Sequence, residues 1–140
     1  MTKILVVDDE PDFVEMLKMR LEANAYEVAV AYDGLEGYQK AIDEKPALIL
    51  LDVMMPGLDG FEVLRRLKRN EATRSLPVVM LTAKGETKSL FRAQELGVSD
   101  YLIKPCDSKE LLATLKRLLA GQRFHSPFPP LSSQTEPGRP

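Results

Sequence analysis

Pro46-Ala47-Leu48-Ile49-Leu50-Leu51-Asp52-Val53-Met54-Met55-Pro56-Gly57 is the stretch whose reading decides the fold. Five consecutive apolar residues, bounded by a proline and an acid, read as a short strand covered on both faces. An aspartate at the carboxyl end of such a strand stands where open parallel sheets place their chemistry. Three further runs end in a similar way. Lys3-Ile4-Leu5-Val6-Val7 leads into Asp8-Asp9-Glu10, Pro77-Val78-Val79-Met80-Leu81 into Thr82, and Asp100-Tyr101-Leu102-Ile103 into Lys104-Pro105. If these strands lie parallel in one sheet, Asp8, Asp9, Asp52, Thr82 and Lys104 meet on a single rim.

Outward from this run, strand and helix patterns alternate along the chain, the signature of stacked βα units. Strands are expected at 3–7, 27–31, 47–51, 77–82 and 100–103, and helices at 11–24, 34–45, 60–70, 87–97 and 108–120. Asp33-Gly-Leu-Glu36, Asp59-Gly-Phe-Glu62 and Asp107-Ser-Lys-Glu110 each open a helix with a capping box. In that motif the aspartate accepts an orphan N–H and the glutamate reaches back to the cap. Phe13, Leu17 and Leu21 form the apolar stripe of the first helix; Leu111, Leu115 and Leu118 form that of the last. Residues 1–120 are therefore expected to form one domain. Residues 121–140 hold five of the ten prolines without apolar periodicity and read as a flexible tail or linker.

Composition narrows the function. The 140 residues suffice for one domain with a core, with 44% hydrophobic and 29% charged residues. A net charge of −2 gives no basic field for nucleic acid or an anionic membrane. No apolar stretch spans a bilayer, and Met1-Thr2-Lys3 passes straight into a strand pattern without a secretory leader. A cytoplasmic location is the expectation. The single Cys106 excludes an internal disulfide and a multi-cysteine metal site, and His125 alone cannot furnish a histidine metal centre. No Gly-rich phosphate loop follows the first strand, which disfavours a nucleotide-binding domain.

The rim residues suggest their own chemistry. Clustered aspartates repel, so Asp8, Asp9 and Asp52 suit a hard cation, and oxygen-only ligation favours Mg²⁺. A carboxylate can itself attack phosphorus and form an aspartyl phosphate. Such a transfer needs the charge on the phosphoryl oxygens neutralised, which the cation and Lys104 would do. Thr82 offers a hydroxyl to a phosphoryl oxygen.

Taken together, Val6-Val7-Asp8-Asp9-Glu10, Asp52-Val-Met-Met-Pro-Gly57, Leu81-Thr82-Ala83 and Tyr101-Leu-Ile-Lys104-Pro105 resemble the receiver domain of two-component response regulators. The likeness covers residues 3–120. It implies a flavodoxin-like, doubly wound α/β fold: a five-stranded parallel sheet in the order 2-1-3-4-5 with five helices. By that resemblance Asp52 is the phosphoacceptor, Asp8 and Asp9 hold Mg²⁺, and Met54 adds its backbone carbonyl. Lys104 pairs with the phosphoryl group, Thr82 moves toward it, and Tyr101 is the aromatic switch that turns inward as Thr82 moves. The Lys104-Pro105 peptide is expected to be cis.

The resemblance further implies a phosphoacceptor switch rather than an enzyme. Its partners would be a sensor histidine kinase or phosphotransfer protein upstream and an effector protein downstream, with no direct nucleic acid and no membrane. Partner binding would change at the face made by the fourth helix, fifth strand and fifth helix. Met54 and Lys84, each two residues beyond a site residue, offer no amide or acid to orient water, so slow autodephosphorylation is expected. Gly97-Val98-Ser99-Asp100 lacks a second acid found in many dimerising relatives, which points to a monomer or a weak phosphorylation-dependent dimer. Two alternatives stand beside this reading. The chain could be the receiver portion of a longer, DNA-binding regulator. It could also be a Mg²⁺-dependent phosphatase with an aspartyl nucleophile, although Met54 stands where such an enzyme wants a second acid.

Overall fold

In the computed structural model, five strands and five helices alternate along the chain. It describes residues 1–83 and 87–121, of which 87–90 by backbone alone; Lys84 and the segment 122–140 lie outside the described residues. The strands are β1 (Lys3–Val7), β2 (Glu27–Ala31), β3 (Leu48–Asp52), β4 (Val78–Ala83) and β5 (Asp100–Lys104). The helices are α1 (Pro11–Ala23), α2 (Gly34–Asp43), α3 (Gly60–Arg69), α4 (Thr87–Glu95) and α5 (Ser108–Leu119). All strand pairs are parallel, in the order β2-β1-β3-β4-β5. This is the expected architecture, with element ends displaced by a residue or two.

Alternation along each strand sends its side chains to opposite faces, and each face has its own core. Ile4, Val6, Leu48, Leu50, Val79, Leu81 and Leu102 pack with α1 and α5. Leu5, Val7, Ile49, Leu51, Val78, Met80 and Tyr101 pack with α2, α3 and α4. Every residue of β3 is buried, which is why its sequence shows an unbroken apolar run rather than alternation. On α1 the fully buried stripe is Val14, Leu17 and Leu21, while Phe13 is only partly buried at its edge. Leu17 and Leu21 are thus as expected, with Val14 rather than Phe13 the fully buried residue of the first turn.

Asp33, Asp59 and Asp107 each cap their helix by accepting a backbone N–H, from Glu36, Glu62 and Lys109 respectively. The return arm of the box differs from the expectation. Glu36 accepts from the Tyr32 N–H, one residue before the cap, and Glu62 turns to Arg65 and Arg66 on its own helix. Basic neighbours one turn ahead compete successfully for that carboxylate.

Candidate functional site

Four strands end at one rim, and the register brings their last residues together. Val7 lies beside Leu51, Asp52 beside Leu81, and Ala83 beside Lys104. Asp8 follows β1 directly and is tied to β2 by its N–H, which donates to the Ala31 carbonyl. Thr82 lies one residue beyond the strand partner of Asp52. Parallel pairing at a shared register therefore produces the convergence that the sequence suggested.

The loop leaving Asp52 is held close by α3. The Gly60 N–H donates to the Val53 carbonyl, and a Cβ at position 60 would lie 2.2 Å from the Asp52 carbonyl oxygen. Only glycine permits that approach. Met54, in the same loop, points its side chain to solvent and is 61% exposed.

Asp8, Asp9 and Asp52 bring carboxylate oxygens within 4.8 Å of one another. Asp8 is fully buried and Asp52 nearly so. Lys104 enters this cluster from the end of β5. Its Nζ lies 2.7 Å from Asp8 Oδ2, 3.1 Å from Glu10 Oε1 and 3.3 Å from Asp52 Oδ1. The fourth contact of the ammonium is the face of the Phe13 ring, 4.5 Å from its centroid. Asp8 Oδ1 accepts the Glu10 N–H at 2.9 Å, but Oδ2 accepts no hydrogen bond, its contact with Lys104 being a charge pairing without hydrogen-bond geometry. Two of these neighbours, Glu10 and Phe13, were not singled out for Lys104 in the sequence.

Burial governs the electrostatics. Loss of solvent and then the charge of Asp8 push the Asp52 carboxyl up to about 6, against the pull of Lys104. Burial likewise raises Asp8, opposed by Lys104. Burial alone would lower the Lys104 ammonium, but Asp8, Asp52 and Glu10 outweigh it, and the group stays charged. Among the described residues one cation, Lys104, thus serves three acids. A buried carboxylate oxygen without a donor, in an all-oxygen group, fits a hard divalent ion.

The remaining candidates lie behind the rim. Thr82 is buried, and its hydroxyl reaches the Ala83 carbonyl at 3.5 Å, the outer limit for a hydrogen bond. Tyr101 is 5% exposed, paired with Met80 in the sheet and part of the core that also holds Phe61, Ala93 and Val98. The Lys104-Pro105 peptide is cis. Cys106 is buried in the opposite core, where burial raises its thiol. Among the described residues no helix is long and apolar enough to cross a membrane.

Residues 4–116 match the response regulator receiver domain family. The phosphate regulon transcriptional regulatory protein PhoB of Pseudomonas aeruginosa is 46% identical over 116 residues, covering 83% of this chain and 51% of that protein. RpaA of Synechocystis, described as a DNA-binding dual master transcriptional regulator, is 42% identical, covering 85% of this chain and 49% of its own length. The chain spans about half the length of the curated relatives it matches. Among solved structures, the receiver domain of a sensor histidine kinase from Pseudomonas aeruginosa carries a magnesium ion in its active-site cleft. It superposes with a TM-score of 0.79 at 29% identity, over 85% of this chain and 98% of that one. Receivers of this family are phosphoacceptor switches, and the chain belongs to the family of response regulator receiver domains of two-component signalling.

Proposed function

We propose that residues 1–120 act as a phosphorylation-controlled binding module whose acceptor is Asp52. The observation that carries this reading is the Lys104 ammonium set 3.3 Å from Asp52, within a cluster of three aspartates. Upstream partners are a sensor histidine kinase or phosphotransfer protein, and the downstream partner is an effector protein. The site works in the cytoplasm, on a monomer or a weak phosphorylation-dependent dimer, without touching nucleic acid or membrane itself.

Asp8 and Asp9, with Asp52 and the Met54 carbonyl, would hold Mg²⁺. When bound, the ion neutralises charge on the phosphoryl oxygens. Asp52, its carboxyl raised to about 6 by burial, is mostly ionised at pH 7 and can act as a nucleophile. Its oxygen forms a bond to phosphorus while the bond from phosphorus to the donor nitrogen or acyl oxygen breaks. Lys104 pairs with the transferred group and Thr82 donates its hydroxyl to it. No acid follows Asp52 at Met54 to act on the acyl phosphate, which favours slow autodephosphorylation and self-catalysed transfer only, rather than turnover of free phosphomonoesters.

Signalling requires a second conformation close in energy. Tyr101 is buried, so the switch would be between this inward ring and an outward one, with Thr82 biasing the balance and α4, β5 and α5 forming the altered face. A coupling of about 1–3 kcal/mol changes partner affinity several-fold to a hundred-fold.

The length of the relatives favours one variation on this reading, in which the chain is the receiver portion of a longer DNA-binding regulator. The native reading frame decides between them. For the shared claim, incubation with acetyl phosphate and Mg²⁺ should add one phosphoryl mass to the wild type and none to Asp52→Asn. Equal labelling of both would remove Asp52 as acceptor.

A further inference from the structure

We propose that Phe13 is a positioning residue for Lys104, its ring face keeping the ammonium over Asp52 during phosphoryl transfer; this rests on the reading of Lys104 as the partner of the phosphoryl group. Lysine carries a compact charge on a four-carbon stem, so its head goes wherever its contacts put it. Here the contacts are Asp8, Glu10, Asp52 and the Phe13 ring. Two of them change when the site is loaded. A cation at Asp8 takes over the carboxylate now nearest to Lys104, and a phosphoryl group converts the Asp52 carboxylate to an acyl phosphate.

Glu10 cannot hold the ammonium by itself. Its side chain is 65% exposed, and an ion pair so open to water contributes little. Of the two described contacts that loading would leave in place, the Phe13 ring is the one on a buried anchor. It is anchored at the edge of the α1 stripe, next to the fully buried Val14 and one turn before Leu17. Lys104 is 16% exposed, a partly dry setting in which a cation over an aromatic face gains strength.

Packing does not account for the aromatic at position 13. The buried stripe of α1 is complete with Val14, Leu17 and Leu21, and an aliphatic residue would cover the same edge. What an aliphatic lacks is the negative face directed at the ammonium. The contact joins the first turn of α1 to the end of β5, 91 positions later in the chain.

The test compares wild type, Phe13→Leu and Phe13→Tyr at saturating Mg²⁺, using acetyl phosphate as donor and NMR of the Lys104 ε-methylene as a second readout. In the wild type the ring current should move the ε-methylene protons upfield. Phe13→Leu should return them to the ordinary lysine position and slow phosphorylation about five-fold. Phe13→Tyr, which restores the face, should recover both the shift and the rate to within about two-fold, and Mg²⁺ affinity by calorimetry should be the same in all three. An undisplaced ε-methylene in wild type that is phosphorylated normally overturns the positioning role while leaving Asp52 as acceptor. So does a Leu variant as fast as wild type, a Tyr variant as slow as Leu, or a loss explained by weaker Mg²⁺ binding. A wild type that takes no phosphoryl group on Asp52 overturns both this role and the reading beneath it.

Discussion

The two ends of the sheet differ in the charge they gather: an acid paired with an arginine at one, three clustered carboxylates at the other. At the amino-terminal end most buried polar groups find partners from within, Arg117 Nε being the exception among the described residues. Ser99 Oγ accepts the Val78 N–H at 3.2 Å, and the Thr73 hydroxyl donates to the Leu67 carbonyl at 2.8 Å. Asp100 accepts the Tyr101 N–H and pairs with Arg117. At the carboxyl-terminal end, Asp8 and Asp52 are buried beside each other and share one ammonium, and Asp8 Oδ2 accepts no hydrogen bond. One end is built for stability. The other gathers three carboxylates against the one described ammonium, a charge that folding alone does not require and that an incoming cation or phosphoryl chemistry can use.

Substitutions at the two ends should therefore shift stability with opposite signs. The largest effect is expected for Arg117→Ala, which removes the Arg117–Asp100 ion pair at a buried carboxylate. Chemical denaturation should show a loss of about 3–5 kcal/mol, with Asp52 phosphorylation unchanged in the folded fraction. A loss below about 1 kcal/mol would mean that Asp100 is neutral or hydrated, and the contrast between the ends would weaken.

Asp52→Asn should do the reverse and stabilise the protein by about 2 kcal/mol at neutral pH. The sign follows from the carboxyl, raised from 3.8 to about 6 in the folded state, which means the folded protein binds this proton more tightly than the unfolded chain. The ionised aspartate is thus a destabilising group above pH 6, and its cost fades as pH falls through 6 toward 4. The advantage of Asn should be full at pH 7.5 and nearly gone at about pH 4, as read from denaturation midpoints. A gain that does not depend on pH would point to packing instead.

Magnesium should act at the same end with a smaller effect. At ten times its dissociation constant the ion should raise stability by about 1.4 kcal/mol, and Asp8→Asn should remove most of that gain. Thermal shifts with and without chelator measure it, and an unaltered shift in Asp8→Asn would separate the metal from the cluster. Smallest of all, Ser99→Ala should cost about 1 kcal/mol through the orphaned Val78 N–H and leave magnesium binding untouched.

Much of this was legible in the sequence, though by unequal routes. The unbroken apolar run before Asp52 announced a strand buried on both faces, and the polar residue ending each such run placed it at the rim. The end of β3 was read one residue short because hydrophobicity stops at Leu51 whereas strand pairing continues through Asp52 to Leu81. Periodicity gives no strand order, which came only through the resemblance. Val14 was missed from the α1 stripe because Phe13 and Val14 fit a helical period about equally well. The contacts of Glu10 and Phe13 with Lys104 were invisible, since they join positions more than ninety residues apart. The roles read for Lys84 and for the tail after residue 121 fall outside the described residues.

The contact at Gly60 has a consequence for anyone who redesigns this mouth. Helix α3 begins against the peptide that carries Asp52, so the two behave as a pin pressed into its plate. A single methyl group there would act as a wedge, tilting the acceptor out of line before any charge had been altered. Libraries that vary the exposed Met54 and Pro56 can explore many geometries, provided that position 60 stays bare.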